Sequence, residues 1–234
     1  MVEETKMAKF KSYFFSNRGM GNVLSELNKQ MVGQVFYVKK STDADYKDFI
    51  LSKPTGNVFT TVQGGLDACT AGQGDVVVVL PGTWTEALTM TKADVTLIGA
   101  GATPHSTVLH GGGSIAITIT GVDVRIENLH LYNTGAAIVC IYGTGLVGNP
   151  SIINCDFTQI ELTSTACISI AGVDSRGLRV TGCNFLGASG SADAINAAGK
   201  QEIIMDNTSE DLNTTEATCF GAAGMHTGSS NLAI

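Results

Sequence analysis

Ile115-Ala-Ile-Thr-Ile-Thr-Gly121, Ala137-Ile-Val-Cys-Ile-Tyr-Gly143, Ala166-Cys-Ile-Ser-Ile-Ala-Gly172, Asp193-Ala-Ile-Asn-Ala-Ala-Gly199 and Thr218-Cys-Phe-Gly-Ala-Ala-Gly224 share one alternation and one terminal glycine. The glycines lie 22, 29, 27 and 25 residues apart. A second short segment follows each: Ile126-Glu-Asn-Leu-His-Leu131, Ile152-Ile-Asn-Cys-Asp-Phe157, Val180-Thr-Gly-Cys-Asn-Phe185, Met205-Asp-Asn-Thr-Ser-Glu210 and Ser229-Ser-Asn-Leu-Ala-Ile234. A repeat of this length, with short strands, polar corners and no Leu-x-x-Leu-x-Leu frame, predicts a solenoid coil and not a leucine-rich repeat. Strands of successive coils would stack about 4.8 Å apart. Asn128, Asn154, Asn207 and Asn231 share one position, where Gly182 stands once. Asn and Gly tolerate the left-handed backbone of a sharp corner.

Composition fits this reading. The chain has 234 residues, of which 28 are glycine, with 15% charged and 6% aromatic residues. No 18-residue apolar run crosses a membrane, and the start Met1-Val2-Glu3-Glu4 has no apolar stretch of the secretory kind. Residues 1–53 carry nine of the 14 Lys/Arg and six of the 21 Asp/Glu, a net of +3, leaving five against 15, a net of −10, for residues 54–234. A body this acidic repels phosphate, so nucleic acid is not an expected partner; neither is a membrane.

The stretch Gly74-Asp-Val-Val-Val-Val-Leu-Pro-Gly-Thr-Trp-Thr-Glu-Ala-Leu88, followed by Val95-Thr-Leu-Ile-Gly-Ala-Gly101 and preceded by a short helix over 62–70, resembles the first coil of right-handed β-helix proteins of the pectin-lyase-like class. The resemblance covers residues 58–234. It implies an all-β chain: a right-handed, single-stranded parallel β-helix of about six or seven short coils, with an extended N-terminal arm over residues 1–57. The class holds lyases, hydrolases, adhesins and viral structural proteins, so fold does not decide function.

Side chains alternate across a strand. Counting back from each glycine places Ile117, Ile119, Val139, Ile141, Ile168, Ile170, Ile195, Ala197, Phe220 and Ala222 inward. Ala116, Thr118, Ile138, Cys140, Cys167, Ser169, Ala194, Asn196, Gly221 and Cys219 are then expected outward. None of these outward residues is charged, and a flat uncharged face suits association with further copies. β-helices of viral proteins in this class sit side by side around a threefold axis, so the resemblance points to a homotrimer, whose closure covers the face in every copy. The expected interface is Ala116, Thr118, Ile138, Cys140, Cys167, Ser169, Ala194, Asn196 and Cys219.

In the arm, Lys9, Lys11 and Arg18 alternate with Phe10, Tyr13, Phe14 and Phe15. Aromatics for buried contact and cations for an acidic surface make these seven the candidate anchoring residues. A short helix is expected over 22–31 and a strand over Gln34–Val38, with Pro54-Thr-Gly56 as the hinge into the coils.

Chemistry is sparse by this reading. Six cysteines show no Cys-x-x-Cys spacing, so no zinc site is expected; Cys155 and Cys183 stack in the core of adjacent coils. The four histidines, 105, 110, 130 and 226, are expected at corners, facing solvent or hydrogen-bonded. Carboxylates that a hydrolase or lyase would need are Asp123, Asp174, Glu127 and Asp156, with Arg125 and Arg179 nearby, dispersed over several coils. The expectation is a chain without catalytic activity and without cofactors. The resemblance implies a virion protein similar in plan to trimeric capsid decoration (cement) proteins of tailed phages, which would be assembled in the host cytoplasm and bind the major capsid protein through its arm. The alternatives are a receptor-binding tail fibre or tailspike and a polysaccharide-degrading β-helix.

Overall fold

Every strand pairing among the described residues is parallel. The computed structural model describes residues 33–133, 139–143, 148–159, 166–170, 177–187, 193–197, 203–210, 226–227 and 232–233. Strands are numbered in chain order. The first sheet has nine, ordered β2 (Val58–Phe59), β1 (Val35–Val38), β3 (Asp75–Val79), β6 (Val95–Gly99), β9 (Arg125–Glu127), β12 (Ser151–Ile153), β15 (Arg179–Thr181), β18 (Ile203–Met205) and β20 (His226–Thr227). The second has seven: β4 (Gly82–Thr85), β7 (Thr107–His110), β10 (His130–Asn133), β13 (Asp156–Gln159), β16 (Asn184–Gly187), β19 (Thr208–Glu210) and β21 (Leu232–Ala233). The third has five: β5 (Leu88–Met90), β8 (Ile117–Ile119), β11 (Ile141–Gly143), β14 (Ala166–Ile170) and β17 (Asp193–Ala197). From β3 on the chain visits the sheets in turn and returns to each one strand further along, which makes a parallel β-solenoid.

The interior is filled by stacked rows in register. Val77, Leu97, Ile126, Ile152, Val180 and Ile204 line the first sheet. Trp84, Leu109, Leu131, Phe157 and Phe185 line the second, and Leu88, Ile117, Ile141, Ile168 and Ile195 the third. All are buried, each contributing about 1.5–3 kcal/mol through removal from water. Opposed Ile141 and Ile117 correct the glycine-based alignment: Gly143 lies opposite Ile119 and Ile170. That coil is slipped by two residues, a shift that preserves which side chains face in.

The corner between the first and second sheets is built by left-handed residues: Asn128 (φ 53°), Asn154 (φ 49°), Gly182 (φ 65°) and Asp206 (φ 57°). Asn128 Nδ2 donates to the carbonyls of Gly99 (2.8 Å) and Gly101 (2.7 Å), and Asn154 Nδ2 donates to Asn128 Oδ1 (3.1 Å). Gly99 is required here, since a Cβ on it would lie 2.1 Å from the Asn128 carbonyl oxygen. Asn207, expected in the left-handed row, is instead fully buried one step on, beneath Cys183. Its Oδ1 accepts from the Cys183 N–H (2.9 Å), and its Nδ2 donates to the Val180 carbonyl (3.0 Å).

Helix α1 (Tyr46–Leu51) has no buried residue and meets β1 through Phe49 against Tyr37. Helix α2 (Val62–Ala68) covers the start of the solenoid, burying Val62, Gly65 and Leu66. The expected 62–70 helix is therefore present, ending two residues earlier. Glu86 accepts from the N–H groups of Val62 (2.9 Å) and Gln63 (3.1 Å), and Thr61 Oγ1 accepts from Gly64 N–H (3.1 Å). Lys92 Nζ donates to the carbonyls of Asp67 and Cys69 at the other end. A carboxylate at the N-terminus and an ammonium at the C-terminus both match the helix dipole. Side chains of the first coil thus fix the cap.

Residues 33–57, expected within an extended arm, belong to this first layer. β1 lies hydrogen-bonded between β2 and β3. Asp75 holds it in place, accepting from Gln34 N–H at Oδ1 and from Thr70 N–H at Oδ2, both at 2.6 Å. An alternating Val-Phe-Tyr-Val segment buries Phe36 and Val38 only when it joins a sheet, which is why the boundary moves toward the N-terminus. Lys9, Phe10, Lys11, Tyr13, Phe14, Phe15 and Arg18, and the helix expected over 22–31, lie outside the described residues.

Candidate functional site

Parallel register carries an outward residue on one coil to the same place on the next. On the second sheet one outward row reads Thr83, Val108, His130, Asp156, Asn184, Thr208, and the adjacent row reads Thr85, His110, Tyr132, Thr158, Leu186. A single turn of 3-10 helix, Pro104–Ser106, adds His105 from the preceding corner. Three histidines, a carboxylate, a tyrosine and an asparagine so converge on one face.

The contacts form a continuous chain. His105 Nε2 lies 3.0 Å from Asp156 Oδ2, and His105 Nδ1 lies 3.0 Å from His130 Nδ1. His130 Nε2 lies 2.9 Å from Thr158 Oγ1. From the other side Asn184 Nδ2 donates to Asp156 Oδ1 (2.6 Å), and Thr208 Oγ1 donates to Asn184 Oδ1 (2.5 Å). The two imidazoles meet edge to face, with centroids 4.3 Å apart, and His110 packs on Tyr132 at 5.1 Å. The Asp156 side chain is only 11% exposed, whereas that of His105 is 65% exposed. This is a buried acceptor reached through an accessible imidazole.

Burial, then the neighbouring His105 charge, pushes the His130 pKa below its ordinary 6.5, with the Asp156 charge opposing. Folding therefore favours neutral His130. The unfolded chain takes up a proton first as pH falls, so the stabilisation is complete above 6.5 and is lost as pH drops through the depressed folded value. The groups facing His130 are His105, Asp156, Thr158 and Tyr132. Thermal unfolding at stepped pH is expected to show the midpoint falling below pH 6.5, with His130→Gln flattening that fall. An equal fall in both proteins would remove His130 as its cause.

The third sheet is different. Its outward row is Thr89, Thr118, Tyr142, Ser169 and Asn196, without a formal charge. Of the expected interface, Thr118, Ser169 and Asn196 stand in this row, but Ser169 is itself buried within the single chain. Ala116, Cys140, Cys167 and Ala194 do not stand in it: all four are completely buried within the single chain. Ala116 and Cys140 stand at the corner just before β8 and β11, where strand alternation does not govern. Cys167 and Ala194 are the second residues of β14 and β17, and all five residues of β14 are buried, so alternation does not sort that strand into two faces. Ile117 N–H donates to the Cys140 carbonyl and Cys140 N–H to that of Cys167. Ile138 and Cys219 lie outside the described residues.

The carboxylates considered for catalysis are not brought together. Asp123 sits at a left-handed corner and accepts from Asn149 Nδ2 (2.8 Å). Arg125 and Glu127 pair with each other on the first sheet (2.7 Å), whose outward row also carries Arg179. Asp156 faces out of the second sheet, and Asp174 lies outside the described residues. Cys69, Cys140, Cys155 and Cys183 are free thiols. Burial raises the Cys69 and Cys140 thiols to about 12. Cys155 and Cys183 stack in the core as expected, and burial, then Cys183, holds Cys155 well above the ordinary thiol range. Among the described residues no three His, Cys, Asp or Glu side chains are placed to hold a metal ion.

No family model matches the sequence, and no curated protein matches it. Solved structures do. The chain is similar to a pectin methylesterase point mutant in complex with a hexasaccharide, at 14% identity and TM-score 0.44 over 85% of this chain and 92% of that one. It is also similar to the pectin methylesterase PemA from Erwinia chrysanthemi, at 12% identity and TM-score 0.40 over 87% and 93%. At these values the likeness concerns the fold alone. It nevertheless corrects one expectation: both of these matched solenoids are enzymes, so the inference from this architecture to a chain without catalytic activity does not stand.

Proposed function

We propose that the chain is a structural virion protein of a tailed phage. In this reading it is a capsid decoration protein whose β-helix is right-handed, has six or seven coils, and associates as a homotrimer. The observation that carries the reading is the third sheet's outward row, Thr89, Thr118, Tyr142, Ser169 and Asn196. The outward residues of the first sheet include Arg125, Glu127 and Arg179, and those of the second include Asp156. An uncharged row of this kind lets a second β-helix approach without desolvating ions, and a threefold arrangement covers it in each copy. Lys9, Lys11 and Arg18, with Phe10, Tyr13, Phe14 and Phe15, then meet acidic seams between major capsid subunits, and three linked arms multiply a weak contact. The net charge of −10 on residues 54–234 keeps the projecting bodies mutually repelling.

Light scattering on the full chain is expected to give the mass of three copies. Thr118→Glu with Asn196→Glu is expected to give one copy. Lys9→Glu with Lys11→Glu is expected to remain trimeric while losing co-sedimentation with purified capsids of the parent phage. A wild-type monomer would remove the basis of the reading.

A further inference from the structure

The second sheet's face carries chemistry that does not depend on how the protein assembles. The proton order along its chain of contacts follows from the carboxylate end. Asp156 is an acceptor, already taking a hydrogen bond from Asn184 at Oδ1, so the hydrogen in its 3.0 Å contact with His105 belongs to Nε2. In the neutral ring, Nδ1 of His105 then carries the lone pair. The 3.0 Å contact between the two Nδ1 atoms requires one hydrogen, and His130 Nδ1 supplies it. His130 Nε2 is left as an acceptor, 2.9 Å from Thr158 Oγ1, and the threonine hydroxyl donates into it. The opposite order would set a bare imidazole nitrogen against a carboxylate oxygen.

The result is a hydroxyl bonded to a neutral imidazole, which is oriented by a second imidazole, which is oriented by a buried carboxylate. That is the arrangement of an activated nucleophile: hydroxyl, base and orienting group within hydrogen-bond reach. We propose that Thr158 is the nucleophile and His130 the general base of an acyl-transfer site that hydrolyses O-acyl esters, with His105 and Asp156 as positioning residues. Thr158 Oγ attacks the ester carbonyl carbon, forming the Oγ–C bond as the C=O pair moves onto oxygen and the hydroxyl proton passes to His130 Nε2. Collapse of the adduct re-forms C=O and breaks the bond to the leaving alcohol, which takes the proton from His130. Water, deprotonated by His130, then attacks the acyl-threonine, releasing a carboxylic acid and restoring the hydroxyl.

The surroundings select the shape of the substrate. The site lies on the outer face of a sheet, flanked along the coils by Asn184 and Thr208 on one side and by Tyr132 and His110 on the other. An open strip of planar and hydrogen-bonding side chains, with the exposed Leu186 beside Thr158, receives a long molecule lying across the strands. The substrate class is thus an extended polymer bearing O-acyl groups.

p-Nitrophenyl acetate tests the chemistry on the intact chain. Mass spectrometry of the quenched, digested protein is expected to find acetyl on the peptide carrying Thr158. Thr158→Val is expected to lose that adduct and to turn over about 100-fold more slowly at an unchanged unfolding midpoint, while Thr158→Ser retains both adduct and turnover. Asp156→Asn removes the charge that favours protonated His130, so its rate–pH profile is expected to shift to lower pH as well as to fall in height. A merely structural role would lower the height alone. Acetyl found only on lysine or histidine, or an undiminished rate in folded Thr158→Val, would overturn the assignment. Should Thr158→Val not fold, the labelling of wild type and Thr158→Ser decides it by the same criterion. Acetylated xylan, compared with p-nitrophenyl acetate, then tests the substrate class: release of acetate from the small ester alone would overturn the polymer.

Discussion

Phe157→Ala is expected to lower the free energy of unfolding by about 3–5 kcal/mol, the usual cost of deleting a fully buried aromatic. The Phe157 ring lies flat on that of Phe185, with centroids 4.8 Å apart and planes 7° from parallel. In register beneath it are Leu131, Leu109 and Trp84. In a solenoid each coil is stabilised mainly by its two neighbours, so truncation in the middle of a row weakens the contact above and the contact below at once. Leu186, next along β16 from Phe185, points outward and is 43% exposed. Leu186→Ala is therefore expected to change stability by no more than about 0.5 kcal/mol. Urea unfolding of the two variants makes the comparison. Equal midpoints would mean that the second sheet's inward row does not hold the coils together.

Much of this architecture is legible before any coordinates. Alternation reads directly as inward and outward faces along β8, where Ile117 and Ile119 are buried and Thr118 faces out, but not along β14, where all five residues are buried. It misleads at the strand entrances. Ala116 and Cys140 precede β8 and β11, the chain is turning there, and parity counted from a downstream glycine no longer tells where the side chain points. The strand at Val35–Val38 is foreseeable from its pattern, but its partner is not. β3 lies some 40 residues further on, and Asp75 joins the two through backbone N–H groups that no sequence motif announces.

The histidine cluster is missed for another reason. His105, His130 and Asp156 look scattered along the chain, at positions 105, 130 and 156. Their separations of 25 and 26 residues match the repeat itself, whose glycines are 22–29 apart. In a parallel solenoid, residues one period apart are neighbours in space, so a period search restricted to ionisable residues would have raised the group as a candidate. Thr158 is harder to find, because one threonine among the many that decorate the coils has no distinguishing neighbour in sequence. Only the register Tyr132 to Thr158, set beside His130 to Asp156, places its hydroxyl against an imidazole.

The corner residues give the sharpest test of that difference between sequence spacing and register. By alignment of the repeats Asn207 belongs with Asn128 and Asn154, a position that Gly182 fills without harm, so Asn207→Gly should be neutral. By register Asp206 is the residue opposite Gly182, with φ at 57°, and Asn207 is the one beneath Cys183. Asn207 has no exposed surface, and its amide satisfies the Cys183 N–H and the Val180 carbonyl. Removing it leaves two buried backbone groups without their partner, at about 1–3 kcal/mol each, together with a cavity. Asn207→Gly is thus expected to destabilise by about 2–5 kcal/mol. Asp206→Gly relieves a left-handed residue whose strain is worth about 1–2 kcal/mol, at the cost of a more flexible unfolded chain, and is expected to leave stability within about 1 kcal/mol of wild type. Chemical unfolding of the two adjacent glycine variants separates the alternatives by sign and size. If Asn207→Gly were the tolerated one, the left-handed corner would pass through residue 207, and β18 and β19 would be out of register with β15 and β16.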